Sequence, residues 1–216
     1  MKYSNHIAAM DELSSFEGVF TTAQAQRLGI TRNALAHACK AGRAERICHG
    51  AYRLVGTQTS EVDELAAIWK LTDPERFTWE RTRPDAWDGI AIGGTTAASL
   101  QNIGDFFASP YRIYAPKRIN SRMKAATFSV RKIDPRDVAW VSGLPVTRPE
   151  RTLVDLCLDH EDPSLVADAY HDAERAGLDL GRLDELVKSI GSTPRREESL
   201  RPLIELMAAT RKESAE

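Results

Sequence analysis

Residues 19–54 read VFTTAQAQRLGITRNALAHACKAGRAERICHGAYRL, and their punctuation predicts two short helices followed by a hairpin. Thr21 is a good N-cap, and Gln24 three positions on completes a capping box. Ala23, Ala25, Leu28 and Ile30 supply the apolar members, and Gly29 stands where a helix ends with positive φ. Thr31 caps a second helix from Arg32 to about Ala41. Its inward stripe is Ala34, Leu35 and Ala38, which leaves Arg32, Asn33, His37 and Lys40 facing out. Gly42 ends it. Two short runs, Ala44–Ile47 and Ala51–Val55, then flank a His49-Gly50 turn. Together these elements form a helix-turn-helix with a two-stranded wing.

Charge gives this stretch a chemistry. Between Thr21 and Gly56 stand Arg27, Arg32, Lys40, Arg43, Arg46 and Arg53 against one acid, Glu45, although the whole chain carries a net charge of −2. A helix that opens with Thr31, Arg32 and Asn33 suits the major groove. Arginine pairs in bidentate fashion with guanine O6 and N7, and asparagine does so with adenine N6 and N7. His37 and Lys40 continue the same face. Arg43, Arg46 and Arg53 on the wing suit phosphates, which position a protein without specifying sequence. The competing readings are a solvated basic face and a winged helix that docks a protein.

Working outward, Ile7, Met10, Leu13 and Phe16 recur at three-residue spacing and predict a first helix over 5–16, its Asp11 and Glu12 turned away from DNA. The 216 residues accommodate one or two domains, and the overall acidity does not exclude DNA binding, because the relevant charge is local. Cys39, Cys48 and Cys157 are odd in number and lack C-x-x-C spacing, which argues against a disulfide framework or structural zinc and fits a cytoplasmic protein. No apolar run is long enough to span a membrane, and the first eighteen residues lack a signal-peptide core.

Beyond the wing, Gly56–Ser60 reads as a linker, and Thr59 or Ser60 caps a helix from Glu61 to about Leu71. Residues 73–89 are charged, contain proline and carry Phe77, Trp79 and Trp87. They form either a partner-contacting lid or a loop stapled to the core. Ile90–Ile92 is a strand candidate, followed by Gly93-Gly94 and a helix capped by Thr95 or Thr96. Without G-x-x-x-x-G-K-[ST] or G-x-G-x-x-G, the glycine pair is better read as a tight turn than as a phosphate loop. Tyr111–Ala115, Thr127–Ile133 and Val138–Val141 are strands, then Leu144–Val146. Lys117, Arg118, Arg122, Lys124, Arg131 and Lys132 form a second basic stretch without an acid: a further DNA footprint, a dock for an acidic protein surface, or a solvated hairpin. Thr147 and Glu150 read as a capping box on a buried helix in which Arg151 and Asp155 pair. Helices at 164–176 and 181–190 and an amphipathic tail complete the chain.

The pattern does not look catalytic, and the alternative, a metal-dependent nucleic-acid enzyme targeted by the winged helix, draws only on the basic surface and the acids at 155–162. His160-Glu161-Asp162 and His171/Glu174 cluster polar groups, but no H-E-x-x-H or cysteine partner accompanies them. Asp134 and Asp137 follow a strand without the acid-x-Lys of a Mg²⁺ nuclease. No metal or cofactor is expected.

Three stretches together resemble one family: the helix-turn-helix itself, IAIGGTTAASLQNIG at 90–104, and GLPVTRPERTLVDLC at 143–157. They are similar to AbiEi antitoxins, the transcriptional regulators of type IV toxin–antitoxin systems. The resemblance covers about residues 5–190, and with the residue pattern it gives an α+β chain: a winged helix-turn-helix over 1–57 and a mixed α/β C-terminal domain over 61–191 that ends in helices, followed by a helical tail over 192–216 that the pattern alone supplies. It implies double-stranded DNA as partner, at inverted repeats in the protein's own promoter, and a nucleotidyltransferase-like toxin as the cognate partner. The DNA-reading role falls on Thr31, Arg32, Asn33, His37 and Lys40, and the wing role on Arg43, Arg46 and Arg53. The chain would act as a monomer or a dimer.

Overall fold

The computed structural model describes residues 2–83 and 85–213, with side chains over 6–83 and 85–212. The chain divides into two compact units, Met1–Asp88 and Gly89–Glu216.

In the first unit α1 (Lys2–Glu17) leads through Gly18 into β1 (Phe20–Thr21), α2 (Thr22–Arg27) and α3 (Arg32–Lys40). β2 (Ala44–Cys48) and β3 (Ala51–Leu54) follow, and the sheet order is β1-β3-β2, antiparallel throughout. The capping box at Thr21 forms in full: its hydroxyl accepts from Gln24 N at 3.0 Å and Gln24 Oε1 accepts from Thr21 N at 2.8 Å. Thr31 caps α3 by accepting from Ala34 N. Gly50 turns the hairpin with φ +92°, a conformation side chains resist. Met10, Leu13, Phe20, Ile30, Leu35 and Leu54 close the core. Phe16, expected on the inner face of α1, is 81 % exposed. α1 ends one residue later, at Glu17.

The unit continues past the wing. α4 (Asp63–Lys70) and α5 (Thr78–Thr82) belong to it, so its boundary lies at Asp88 and not near residue 57. The reason is a buried polar network between segments about fifty residues apart. The Glu17 carboxylate receives Lys70 Nζ, and also Thr78 N at 3.0 Å and Thr78 Oγ1 at 2.6 Å. Gln24 Nε2 donates to Arg76 O. Arg81 is wholly buried: it lies 3.9 Å above the Trp69 ring and donates to Trp69 O, Thr72 Oγ1 and Asp88. The 73–88 stretch is therefore a stapled strap, although Trp79 remains 60 % exposed. Neither Thr59 nor Ser60 caps α4. Asp63 instead accepts from Ser60 N at 3.2 Å.

The second unit is a five-stranded sheet against a layer of helices. β4 (Ala91–Ile92), β5 (Tyr111–Ala115), β6 (Ala126–Val130), β7 (Val138–Val141) and β8 (Leu144–Thr147) are ordered β6-β5-β4-β8-β7. β5/β6 and β4/β8 pair parallel, the other two pairs antiparallel. α6 (Gly94–Leu100), α7 (Pro149–Leu158), α8 (Pro163–Arg175), α9 (Leu180–Ile190) and α10 (Pro194–Glu213) build the core around α7, where Leu153, Val154 and Leu156 are fully buried. α10 contributes Leu200, Leu203 and Met207 to that core, so it is part of the unit and not an appended tail; residues 214–216 lie outside the described residues.

Two expected caps are absent. Thr96 turns inward to accept Arg112 N and donate to Ala108 O, and α6 starts at Gly94 without a side-chain cap. Thr147 meets Thr152 Oγ1 at 2.7 Å, and Glu150 accepts Asp179 N, so both partners of that expected box are engaged elsewhere. The glycine pair has a packing cause: a Cβ on Gly93 would fall 1.9 Å from the Tyr114 ring.

Candidate nucleic-acid interface

The sequence of α3 decides what it shows to solvent. Leu35 and Ala38 are buried and hold the helix, while Thr31, Arg32, Asn33, His37 and Lys40 are exposed. Arg32, Asn33 and Lys40 make no ion pair or side-chain hydrogen bond among the described residues. The Thr31 hydroxyl already accepts the cap bond, which leaves its proton to donate.

The hairpin sorts its basic residues by strand alternation. Arg46 lies opposite Tyr52, and Glu45 opposite Arg53. Arg46 and Tyr52 therefore share a face with Arg32, Leu35 and His49 around a cleft of about 340 Å³. Arg46 Nη2 approaches His49 Nδ1 at 2.5 Å, which ties the guanidinium to the hairpin tip. On the far side of Arg32, a groove runs along Gln26, Gly29, Thr31 and Asn33. The N-terminal end of α3 thus stands between two concavities, with Arg46 and His49 beside it. His49 was read from the sequence only as a turn residue; its place next to a basic strand position was the available signal. His37 and Arg43 lie apart from this group, around a more apolar pocket of about 380 Å³ under α1.

Arg53 does not belong to the surface assigned to it. Its side chain is 11 % exposed, and it donates to Glu45 at 2.7 Å and to Asp63 of α4 at 2.5 Å. Alternation puts it on the face that packs toward α4, where it is an internal brace. Arg27 pairs with Glu80 at 2.7 Å and stacks on Phe77.

The second basic stretch also divides. Lys117, Arg118, Arg122 and Lys124 are exposed on the crossover between β5 and β6, and no ion pair holds them among the described residues. Lys132 is exposed as well. Arg131 is not: Nη1 reaches Asp155 at 2.7 Å and Tyr114 Oη at 3.0 Å, and Nη2 reaches Asp159. Burial opposes its charge, but Asp155, Tyr114 and Asp159 outweigh that and raise its pKa. Burial raises the pKa of Asp155 too, against the pull of Arg151 and Arg131, and lifts Tyr114 well above the ordinary phenol value. This half-buried knot is structural.

The polar clusters weighed for catalysis are engaged in similar ways. Asp137 takes Arg182 in bidentate fashion at 2.8 and 2.9 Å, and Asp134 caps a 3₁₀ turn by accepting from Arg136 N. Asp162 caps α8, and His171 lies 3.6 Å from Glu174. Among the described residues no three His, Cys, Asp or Glu side chains are placed to hold a metal ion. No helix of the described residues is long and apolar enough to cross a membrane.

Comparison with known proteins separates fold from family. The whole chain is similar to the crystal structure of the RV2827C protein from Mycobacterium tuberculosis, with a TM-score of 0.58 over 96 % of this chain and 77 % of that one. The identity is 16 %, so the likeness is one of fold alone. No curated protein sequence matches. A family model does: residues 9–55, the stretch that carries α3 and the hairpin, match the transcriptional regulators described as AbiEi antitoxins.

Proposed function

We propose that the first unit is a winged helix-turn-helix that binds double-stranded DNA, and that the chain is a non-enzymatic repressor of its own operon and the antitoxin of a type IV pair. The observation that carries this reading is the capped N-terminal end of α3. Arg32 and Asn33 are exposed and unpaired among the described residues, inside the stretch that matches the AbiEi regulators. In this reading α3 lies in the major groove. Arg32 and Asn33 read base edges, Thr31, His37 and Lys40 support them, and Arg46 and Arg43 meet phosphates. Arg53 is left out, because its charge is spent on Glu45 and Asp63. Lys117, Arg118, Arg122, Lys124 and Lys132 extend the backbone contact, and the protein meets its inverted repeats as a monomer or a dimer. The toxin it opposes is nucleotidyltransferase-like and acts in the same cytoplasm.

The test is titration of the DNA upstream of the gene against a shuffled control at two salt concentrations. A specific repressor prefers its promoter by about 10³-fold or more. Equal, salt-sensitive binding to both sequences leaves only a basic surface and refutes the repressor reading.

A further inference from the structure

The second unit contains a cationic cleft of which the DNA reading uses Lys132 alone. Arg131 and Lys132 follow β6, Arg151 lies on α7, His160 follows α7, and Arg195 and Arg196 open α10. All six line one concavity of about 600 Å³. Thr193 and Ser199 add hydroxyls at its rim. The volume falls within the range of small-molecule sites, about 300–1,000 Å³.

The charges in the cleft fall into two groups. Arg131 and Arg151 are balanced by Asp155 and Asp159. Lys132, Arg195 and Arg196 have no carboxylate partner among the described residues, so the cleft keeps an excess of three positive charges before His160 is counted. The floor is also unfinished. The Arg151 side chain is 9 % exposed, and its Nε and Nη2 donate to Asp155 at 3.0 Å each. Nη1 makes no hydrogen bond among the described residues and is not sealed in the core. A buried donor in a basic cleft, with exposed cations around it, has the chemistry of a phosphate cradle.

We propose that this cleft binds a compact polyphosphate anion, with the floor guanidinium of Arg151 and the rim cations Lys132, Arg195 and Arg196 as its contacts. Shape favours a small anion over duplex DNA. A duplex presents its phosphates along a convex rod and is met by cations in a row. Here Arg131, Lys132, Arg151, Arg195 and Arg196 line one concavity from three segments of chain, and Arg151 is nine-tenths buried. Three excess charges match a di- or triphosphate. The proposal rests on the second unit alone and does not depend on the promoter reading.

The probe is inorganic triphosphate, titrated calorimetrically into the full chain, with sulfate at matched ionic strength as control. Nucleoside triphosphates in a second arm distinguish the free anion from a phosphorylated metabolite. One-to-one binding is expected, weakened about tenfold or more by Arg195→Ser with Arg196→Ser, the loss expected for one charge-assisted hydrogen bond. Both residues are exposed, so the variant folds. Lys132→Ser gives an independent reading from a different segment. Arg32→Ala with Arg43→Ala leaves triphosphate binding unchanged. Three results overturn the proposal: no binding above the sulfate control, binding indifferent to the α10 and Lys132 variants, or loss of promoter affinity in the α10 variant together with displacement of triphosphate by promoter DNA. The last would make the cleft part of a duplex footprint.

Discussion

α3 and α7 carry the same kinds of residue and put them to opposite uses. α3 opens with Thr31, Arg32 and Asn33, and α7 with Arg148, Glu150, Arg151 and Thr152. On α3 the charged and amide groups are exposed, and the buried Leu35 and Ala38 anchor the helix. On α7 every residue from Glu150 to Cys157 is buried, and its charged groups have partners: Glu150 on Asp179 N, Arg151 on Asp155, Asp155 on Arg131. A polar residue that is buried and satisfied tells about stability; one that is exposed and unpaired on a rigid element tells about recognition.

The largest effect that tests this contrast falls on α7. Asp155→Ala leaves Arg131 and Arg151 facing each other without their shared acid, and breaking a buried pair from one side costs about 3–5 kcal/mol. Urea unfolding of the variant should show that loss. A loss under about 1 kcal/mol would mean the knot is solvated and the contrast false.

On α3 the cost should appear in binding and not in stability. Arg32→Ala and Asn33→Ala should each lower promoter affinity by about 1–3 kcal/mol and relax sequence preference. Unfolding should stay within about 0.5 kcal/mol of the parent, as is usual for exposed positions. Promoter titration alongside thermal melts separates the two outcomes. A stability loss without a binding loss would turn α3 into a second α7.

The hairpin supplies the same contrast within ten residues. Arg43 is exposed and Arg53 is braced by Glu45 and Asp63. Arg43→Ala should reduce the slope of log affinity against log salt by about one. Arg53→Ala should leave that slope alone and cost about 1 kcal/mol of stability, between an exposed and a buried pair. Salt titration of both variants decides it. A slope change for Arg53→Ala would restore it to the wing.

What was legible in the sequence follows the range of the interactions. The caps at Thr21 and Thr31, the stop at Gly29 and the hairpin at Gly50 are local, and they stand as read. The Arg151–Asp155 pair is one helical turn long and also stands. Arg53 was misassigned because charge was counted along the chain without the two-residue alternation that sets it opposite Glu45. The boundary at Asp88 was not legible, since Glu17, Lys70 and Thr78 meet only after folding. The caps at Thr96 and Thr147 failed for a related reason: tertiary partners at Arg112 and Thr152 took hydroxyls that local spacing had assigned to helix ends. The cleft of the second unit is drawn from positions near 131, 151, 160 and 195, and no window of sequence contains it.

The smallest effect concerns Arg27, which lies on the border between the two classes. It is counted with the basic surface by sequence, yet it grips Glu80 of the strap at 2.7 Å with both side chains partly exposed. The Arg27 hydrogen bond, with help from Phe77 N and against a small burial penalty, holds the Glu80 pKa below its ordinary 4.5. A carboxylate depressed in the folded state adds stability that is present above its unfolded pKa and is lost as pH falls through the folded value. The parent should therefore lose stability more steeply than Glu80→Gln between about pH 5 and about pH 3. Solvent screening limits the difference to a few tenths of a kcal/mol. Parallel acid limbs would show that water already satisfies Arg27. It would then be free to join Arg32 and Arg46 at the DNA, and the line between displayed and consumed charge in the first unit would move by one residue.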